Sequence, residues 1–327
     1  TDPTQLSAWT LQHGPFKRRA LPPLKQPAWT LLVQGLDLHV EAAHEMLSRF
    51  RFVSQARLDD LMISYATDGG GVGPHYDAYD VFLVQVHGRR RWRIGRLHDD
   101  RLLQGVPLKI LSNMVVEQEW VLEPGDMLYL PPMWAHDGVA EGECMTCSIG
   151  FRVPRADDLA REVLDRALDA DEDAACRPER LYRDPGMPAT SRPGQIPAEM
   201  RAFARREVMA LIERRLGGGA IDTALGEALT EPKPGVWFEP GPAWRRGQGV
   251  RLHPRSRMMY DDHHVYLNGD AWRCAGADAR LMRELADAGR LESAQVVAAS
   301  AQARALLADW VADGWLLPLP GRRGGRT

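Results

Sequence analysis

The segment from residue 61 to residue 153 constrains the fold most, because it is a succession of short β-forming runs separated by turns. The runs are LMISYA (61–66), DVFLVQVHG (80–88), RRWRIG (90–95), WVLEPGDMLYLPP (120–132) and MTCSIGFRV (145–153). Short strands at this density, with Gly and Pro in the turns, are typical of a β-barrel or β-sandwich. The sequence therefore predicts a β core in this part of the chain.

The pattern changes after Pro154. Residues 156–170 and 198–216 carry apolar side chains at helical spacing, and three glycines end the second run. A Pro- and Gly-rich connector at 231–247 leads to two strands around Asn268-Gly269, followed by further helices. This last mixture is typical of a winged-helix module. We expect three parts, at 1–155, 156–232 and 233–327.

Composition excludes several classes of protein. The 327 residues carry a net charge of −3, so no global basic field favours nucleic acid, and the mixed charges of 261–313 make direct DNA binding unexpected. Four cysteines do not form a disulfide scaffold. Reduced thiols and a cytoplasmic location are therefore expected. No long apolar run and no signal peptide are visible, so we expect no membrane span. The chain begins at Thr1 rather than Met, and we expect natural residues to precede it.

His75 and Asp77 follow the glycine-rich stretch GGGVGP. In an extended segment, residues i and i+2 point to the same side, so both side chains can reach one metal ion. A non-haem Fe(II) centre needs two histidines and one carboxylate, and His136, in LEPGDMLYLPPMWAHDG, is the candidate for the third ligand. An isolated His-x-Asp is usually a surface pair, but the three features together favour metal binding.

The RRRW run (89–92) offers an anchor for a dicarboxylate cosubstrate such as 2-oxoglutarate, whose distal carboxylate needs a cation. Alternation places Arg90 on the same face as Trp92 and Ile94. If that face is interior, Arg90 is buried and requires an anion. The competing interpretation is that these arginines are solvated charges that protect an edge strand.

The segments GGGVGPHYDAYDVFLVQVHGRRRWRIG, LEPGDMLYLPPMWAHDG and SIGFR resemble the Jumonji C type 2-oxoglutarate oxygenases, and among them the bacterial ribosomal oxygenases, which hydroxylate an arginine of a large-subunit ribosomal protein. The resemblance implies a mixed β and α protein. Its core would be a double-stranded β-helix of the jelly-roll or cupin type (1–155), followed by a helical dimerisation segment (156–232) and a C-terminal winged helix (233–327). It therefore also implies a homodimer.

Carried onto matching positions, the resemblance implies six site residues. His75, Asp77 and His136 would bind Fe(II), and Arg90 would bind the distal carboxylate of 2-oxoglutarate. Ser64 would be a further cosubstrate contact, and Ser148 a polar residue near the metal.

The implied reaction consumes O2 and 2-oxoglutarate, releases succinate and CO2, and 3-hydroxylates an arginine of the ribosomal protein. Two alternatives stay open: a non-catalytic Jumonji-like protein that recognises a nucleoprotein, and an N-methyl demethylase. Tyr76, Tyr79 and Asp80 flank the predicted ligands and could line a substrate groove, where Asp80 could pair with the substrate guanidinium.

Two other features have plainer interpretations. Cys144 and Cys147 lack the second pair that a structural zinc site requires, so we expect packed thiols. We expect the Asp261–His264 sequence, DDHH, to form a polar turn rather than a metal site.

Overall fold

The structure is a computed structural model that describes residues 10–169, 181–186, 188, 192–245 and 247–320. The chain divides into two compact units, Thr1–Val153 and Pro154–Thr327. The predicted three-part division therefore stays a prediction, and each unit is described by itself.

Over residues 10–153, the first unit is a seven-stranded antiparallel sheet with one α-helix. Its elements are β1 (Thr30–Val33), α1 (Glu41–Ser48), β2 (Leu58–Ala66), β3 (His75–Tyr76), β4 (Val81–Arg96), β5 (Gln118–Leu122), β6 (Met127–Leu130) and β7 (Trp134–Phe151), with short 3-10 helices at Arg18–Ala20 and Leu36–Leu38. The strand order is β1-β2-β7-β4-β5, while β3 pairs with β7 and β6 pairs with β4.

The long strands β4 and β7 run through both halves of the sheet. Residues 81–84 of β4 lie between β6 and residues 147–150 of β7, whereas residues 90–94 lie between β5 and residues 136–140 of β7. The β4–β7 register shifts twice, between Gln85 and Arg89, and Gly88 there has φ +60°. The two predicted strands at 80–88 and 90–95 are therefore one bent strand, because a glycine at positive φ lets the chain bend without ending the strand.

The bend also changes which residues of β4 face the interior. Val81 and Leu83 pack in one cluster with Trp92 and Ile94, so odd-numbered positions face inward before the bend and even-numbered positions after it. Leu122 and Leu130 complete this cluster. The sheet thus closes around a single interior, as expected for a double-stranded β-helix.

The outer face of β2 and of the end of β7 is covered by α1 and the loop after it. Ala43 and Phe50 pack there against Leu61, Ile149 and Phe151. This apolar layer fixes β2 and β7, which carry the residues that line the interior.

The second unit is mixed helix and strand. Its elements are α2 (Ala156–Asp169), α3 (Ala198–Leu216), α4 (Ala220–Thr230), β8 (Val250–Leu252), β9 (Met258–Tyr260), β10 (His264–Leu267), β11 (Asp270–Arg273), α5 (Gly276–Ala288), β12 (Arg290–Leu291), α6 (Ser293–Ala298), α7 (Ala301–Ala312) and β13 (Leu316–Pro318). Asn268 and Gly269 both have positive φ between β10 and β11, which confirms the predicted hairpin. Leu285, Leu307 and Trp310 lie in its buried core.

Candidate metal centre and cosubstrate pocket

Three predicted ligands meet in the interior of the first unit. In the β3–β7 register His75 lies directly opposite His136, and Asp77 follows β3. One ligand atom from each of the three residues lies within 4.8 Å of the other two. The His136 Nε2 atom is 3.7 Å from an Asp77 carboxylate oxygen. Two imidazoles and one carboxylate at these separations can hold one divalent metal ion.

Backbone carbonyls orient both imidazoles. The Nδ1 of His75 lies 2.8 Å from the Gly73 carbonyl oxygen, and the Nδ1 of His136 lies 3.0 Å from that of Trp134. A carbonyl can only accept, so each Nδ1 carries the proton and each Nε2 has a free lone pair for a metal. Burial, and then the neighbouring His75, lower the pKa of His136 to about 4. His136 is therefore neutral near pH 7, which is the form that binds a metal.

The glycine-rich loop is held against β7. Ala140 donates its N–H to the Gly70 carbonyl at 2.9 Å. A Cβ atom on Gly71 would lie 2.4 Å from the Gly138 carbonyl oxygen, which no real side chain tolerates. Gly71 is therefore required for close approach of the two backbones. Gly73, with φ +90°, supplies the turn that leads into His75.

Arg90 lies inside, as predicted. The residue is 3% exposed, and its guanidinium carbon lies 5.7 Å from the Trp92 ring centroid. The Nε and Nη2 atoms are buried and have no hydrogen-bond partner within the described part of the chain. A buried guanidinium without an anion is strongly unfavourable. The site therefore fits a ligand carboxylate, which a guanidinium binds through two parallel hydrogen bonds.

The neighbouring arginines point the other way. Arg91 pairs with Glu119 and Glu141, and Arg93 pairs with Asp137. The interpretation of solvated charges is thus correct for these two residues and wrong for Arg90.

Ser64 and Ser148 both face the same interior. Ser64 lies opposite Thr146, and its hydroxyl donates to the Thr146 carbonyl at 3.3 Å. Ser148 lies opposite Leu83, a residue of the interior cluster. Both hydroxyls therefore belong to the interior wall, and their predicted contacts with cosubstrate or metal stay predictions.

Tyr79 and Asp80, which lie shortly after the predicted ligand Asp77, have different surroundings. Burial, followed by the Asp77 carboxylate, raises the pKa of the Tyr79 hydroxyl above its usual value. The Asp80 carboxylate accepts hydrogen bonds from Arg57 at 3.1 Å and from Tyr129 at 2.7 Å. Asp80 is therefore already paired by an arginine of its own chain, which the sequence did not signal. An incoming guanidinium would share this carboxylate with Arg57 and Tyr129.

The cysteines and the DDHH sequence behave as expected. Cys144 packs with Ala66, whereas Cys147 lies in the cluster on the opposite face, where burial raises its pKa to about 11. The Asp261 carboxylate accepts the backbone N–H groups of His263 and His264, which makes a polar turn. Cys176 lies outside the described residues.

Two segments of the chain match known protein families. The JmjC domain family matches residues 45–159, and the ROXA-like winged helix family matches residues 220–317. Over 210 residues the chain is 38% identical to the ribosomal protein uL16 3-hydroxylase of Escherichia coli, covering 62% of this chain and 52% of that protein. It is also 38% identical over 156 residues to a probable ribosomal oxygenase of Haemophilus influenzae, covering 46% of this chain and 38% of that one. The chain thus spans about half the length, or less, of these two relatives.

Solved structures of one Escherichia coli protein are also similar to this chain. The crystal structure of YcfD of E. coli matches with a TM-score of 0.75 and 28% identity, covering 94% of this chain and 82% of that one. YcfD, described as a ribosomal oxygenase, also matches in its complex with cobalt and 2-oxoglutarate, with a TM-score of 0.72, 27% identity and the same coverage. The β core and the strands and helices of the second unit are therefore those of a mixed β and α protein with a cupin-like core. The chain therefore contains a segment that matches the JmjC domain family, followed by a segment that matches the ROXA-like winged helix family.

Proposed function

We propose that this chain is an Fe(II)- and 2-oxoglutarate-dependent protein hydroxylase that 3-hydroxylates an arginine of a large-subunit ribosomal protein. The observation that carries the proposal is the meeting of His75, Asp77 and His136 in the interior that also holds the buried Arg90, whose Nε and Nη2 have no partner among the described residues. The names of the similar bacterial proteins support the ribosomal-protein substrate.

The residues fit both the metal and the cosubstrate. His75 and His136 would bind Fe(II) through Nε2 and Asp77 through a carboxylate oxygen, and three protein ligands leave positions open. Bound together, Fe(II) and 2-oxoglutarate supply O2 activation, with release of succinate and CO2 and insertion of one oxygen atom into a C–H bond.

The protein's own residues would bind the cosubstrate, orient the metal ligands and exclude water. Arg90 would hold the distal carboxylate of 2-oxoglutarate, and Trp92 and Ile94 on the same face keep water from this ion pair. The carbonyls that fix the His75 and His136 rings hold the ligand atoms ready before a metal arrives.

A second candidate activity is N-methyl demethylation. The chain is 36% identical over 104 residues, 28% of its length, to a protein of Brugia malayi named bifunctional lysine-specific demethylase and histidyl-hydroxylase NO66, of which it covers 14%. The two reactions share the metal chemistry. The mass of the product separates them, because hydroxylation adds one oxygen and demethylation removes a methylene.

The proposal extends to a homodimer. On α3 the apolar residues Val208, Met209 and Ile212 are 53%, 55% and 39% exposed. A second copy of the chain would cover this face, in agreement with the predicted dimerisation segment. A ribosomal-protein substrate supports the cytoplasm as its location. Within the described residues no helix is long and apolar enough to cross a membrane.

The test is coupled turnover. The purified chain is incubated with Fe(II), 2-oxoglutarate and an arginine-containing peptide of the ribosomal protein, and succinate is measured with and without peptide. Peptide-stimulated succinate that is absent in His136→Ala supports the proposal. A wild-type chain that makes no succinate would refute it.

A further inference from the structure

Gln85 is a polar residue in an interior position and has no part in the mechanism above. It is 0% exposed and lies at the bend of β4, next to the inward-facing Leu83. Its side-chain amide makes three hydrogen bonds. Nε2 donates to the carbonyls of His87 at 2.8 Å and Gly88 at 3.2 Å, and Oε1 accepts from the Thr146 hydroxyl at 2.8 Å.

These hydrogen bonds serve the irregular part of the strand. The β4–β7 register shifts between Gln85 and His87 and again between His87 and Arg89, so regular ladder pairing is interrupted there. Backbone groups at such a bulge need other partners. The Gln85 amide supplies two donors to them, and Thr146, on the neighbouring strand, holds the amide in place.

The bulge decides which arginine of the RRRW run faces the interior. Val81, Leu83 and Gln85 face inward, and continued alternation would turn Arg89 and Arg91 inward and Arg90 outward. The shift of register reverses this order, so that Arg90 is buried and Arg91 is exposed.

We infer that Gln85, held by Thr146, is a positioning residue that fixes the bulge and thereby aims Arg90 at the carboxylate of the cosubstrate. This inference rests on the proposed function, since it concerns the binding of 2-oxoglutarate. Gln85 acts on the cosubstrate site and not on the metal site, because His136, the partner of His75, lies opposite Ile94, after the register shifts.

The test is calorimetric binding of 2-oxoglutarate to protein loaded with Mn(II), which needs no turnover. Gln85→Glu is nearly isosteric and keeps the acceptor for Thr146 but loses both donors, so it should raise the Kd of 2-oxoglutarate at least about tenfold, as should Gln85→Ala. Thr146→Val should raise the Kd about threefold or more, and Thr146→Ser, which keeps the hydroxyl, should restore it. The Kd of Mn(II) should change less than about twofold in all four variants, because each metal ligand keeps its surroundings.

Asp37→Ala is the matched control for lost stability. Asp37 is also buried in the first unit and accepts the Leu61 backbone N–H at 2.9 Å, away from β4. It should lower the Tm and leave the Kd of 2-oxoglutarate within about twofold.

The outcomes are separable. Wild-type protein that binds 2-oxoglutarate, with equal affinity in the Gln85 variants, would overturn the inference alone. Equal affinity in Thr146→Val and Thr146→Ser would do so even if the Gln85 variants fail to fold. Loss of Mn(II) binding in parallel with 2-oxoglutarate binding would reduce Gln85 to a general structural role and overturn the inference as well. Wild-type protein that binds no 2-oxoglutarate would overturn the proposed function together with the inference.

Discussion

The imidazole rings of His75 and His136 lie 4.2 Å apart, centroid to centroid, because the two residues are direct partners in the β3–β7 register. Pairing by backbone register fixes their separation before any metal binds. Asp77 joins them from the same short segment as His75.

Replacing His75 or His136 with Ala should abolish turnover and lower metal affinity by more than about 100-fold, since losing only an outer partner of a ligand costs about 10–100-fold. The fold should stay largely intact, because the register of β3 and β7 depends on the backbone. Elemental analysis measures the metal content, and circular dichroism checks that the fold is intact. His98→Ala is the control, because His98 is exposed and lies next to Glu117. Full metal content in either site variant would contradict the assignment.

Arg90→Ala should raise the KM for 2-oxoglutarate by on the order of 100-fold, since two hydrogen bonds between charged groups are lost. Metal content should not change. Arg91→Ala, which removes the neighbouring exposed guanidinium and its pairs with Glu119 and Glu141, should leave this KM within about twofold. Similar KM values in the two variants would show that Arg90 is not the anchor.

Arg90→Met should stabilise the protein when no cosubstrate is present. The buried Nε and Nη2 atoms lack partners among the described residues, and an apolar side chain removes that cost. Replacing buried ion pairs by apolar side chains gains about 1–4 kcal/mol. Urea unfolding measures the gain. Adding 2-oxoglutarate and Mn(II) should then stabilise the wild type more than the variant. A destabilised Arg90→Met protein would indicate that the guanidinium already has a partner.

Gly71→Ala should destabilise the first unit and weaken metal binding together. The added Cβ would meet the Gly138 carbonyl at 2.4 Å, so the loop must move away from β7 and carry His75 with it. Gly150→Ala is the matched control on β7, where the nearest atom lies 3.8 Å from the new Cβ. Thermal unfolding and Mn(II) titration of both variants test this. Unchanged Mn(II) affinity in Gly71→Ala would separate the loop from the metal centre.

Ile212→Glu on α3 should convert the proposed dimer to a monomer, because it places a charge in the apolar face with Val208 and Met209. Light scattering after size exclusion gives the mass. Arg214→Ala, an exposed change on the same helix, should leave the mass unchanged. A wild-type chain that is monomeric at micromolar concentration would contradict the dimer itself.

Local patterns predicted the site better than they predicted the strands that build it. The two-residue spacing of His75 and Asp77, and the alternation of Arg90 with Trp92, are properties of single extended segments and can be seen in sequence. The continuity of β4 was missed because Gly88 resembles a turn, although its positive φ only bends the strand.

Features that depend on distant partners were not predictable. Gly71 is needed because Gly138 passes within contact distance, and Asp80 is engaged because Arg57 and Tyr129 reach it. Gln85 is visible in the sequence as a polar residue within an apolar run. Phe82, Val84 and Val86 are apolar as well, so alternation could not show which face of that run is buried.

The measurement that tests the central claim most directly is the intact mass of the ribosomal protein, with peptide mapping, after incubation with this chain, Fe(II), 2-oxoglutarate and O2. We expect the mass to rise by one oxygen atom located on an arginine, with no change when 2-oxoglutarate is omitted or when His136→Ala replaces the wild type. An unchanged mass despite succinate formation would contradict the substrate. A loss of one methylene would contradict hydroxylation and favour demethylation.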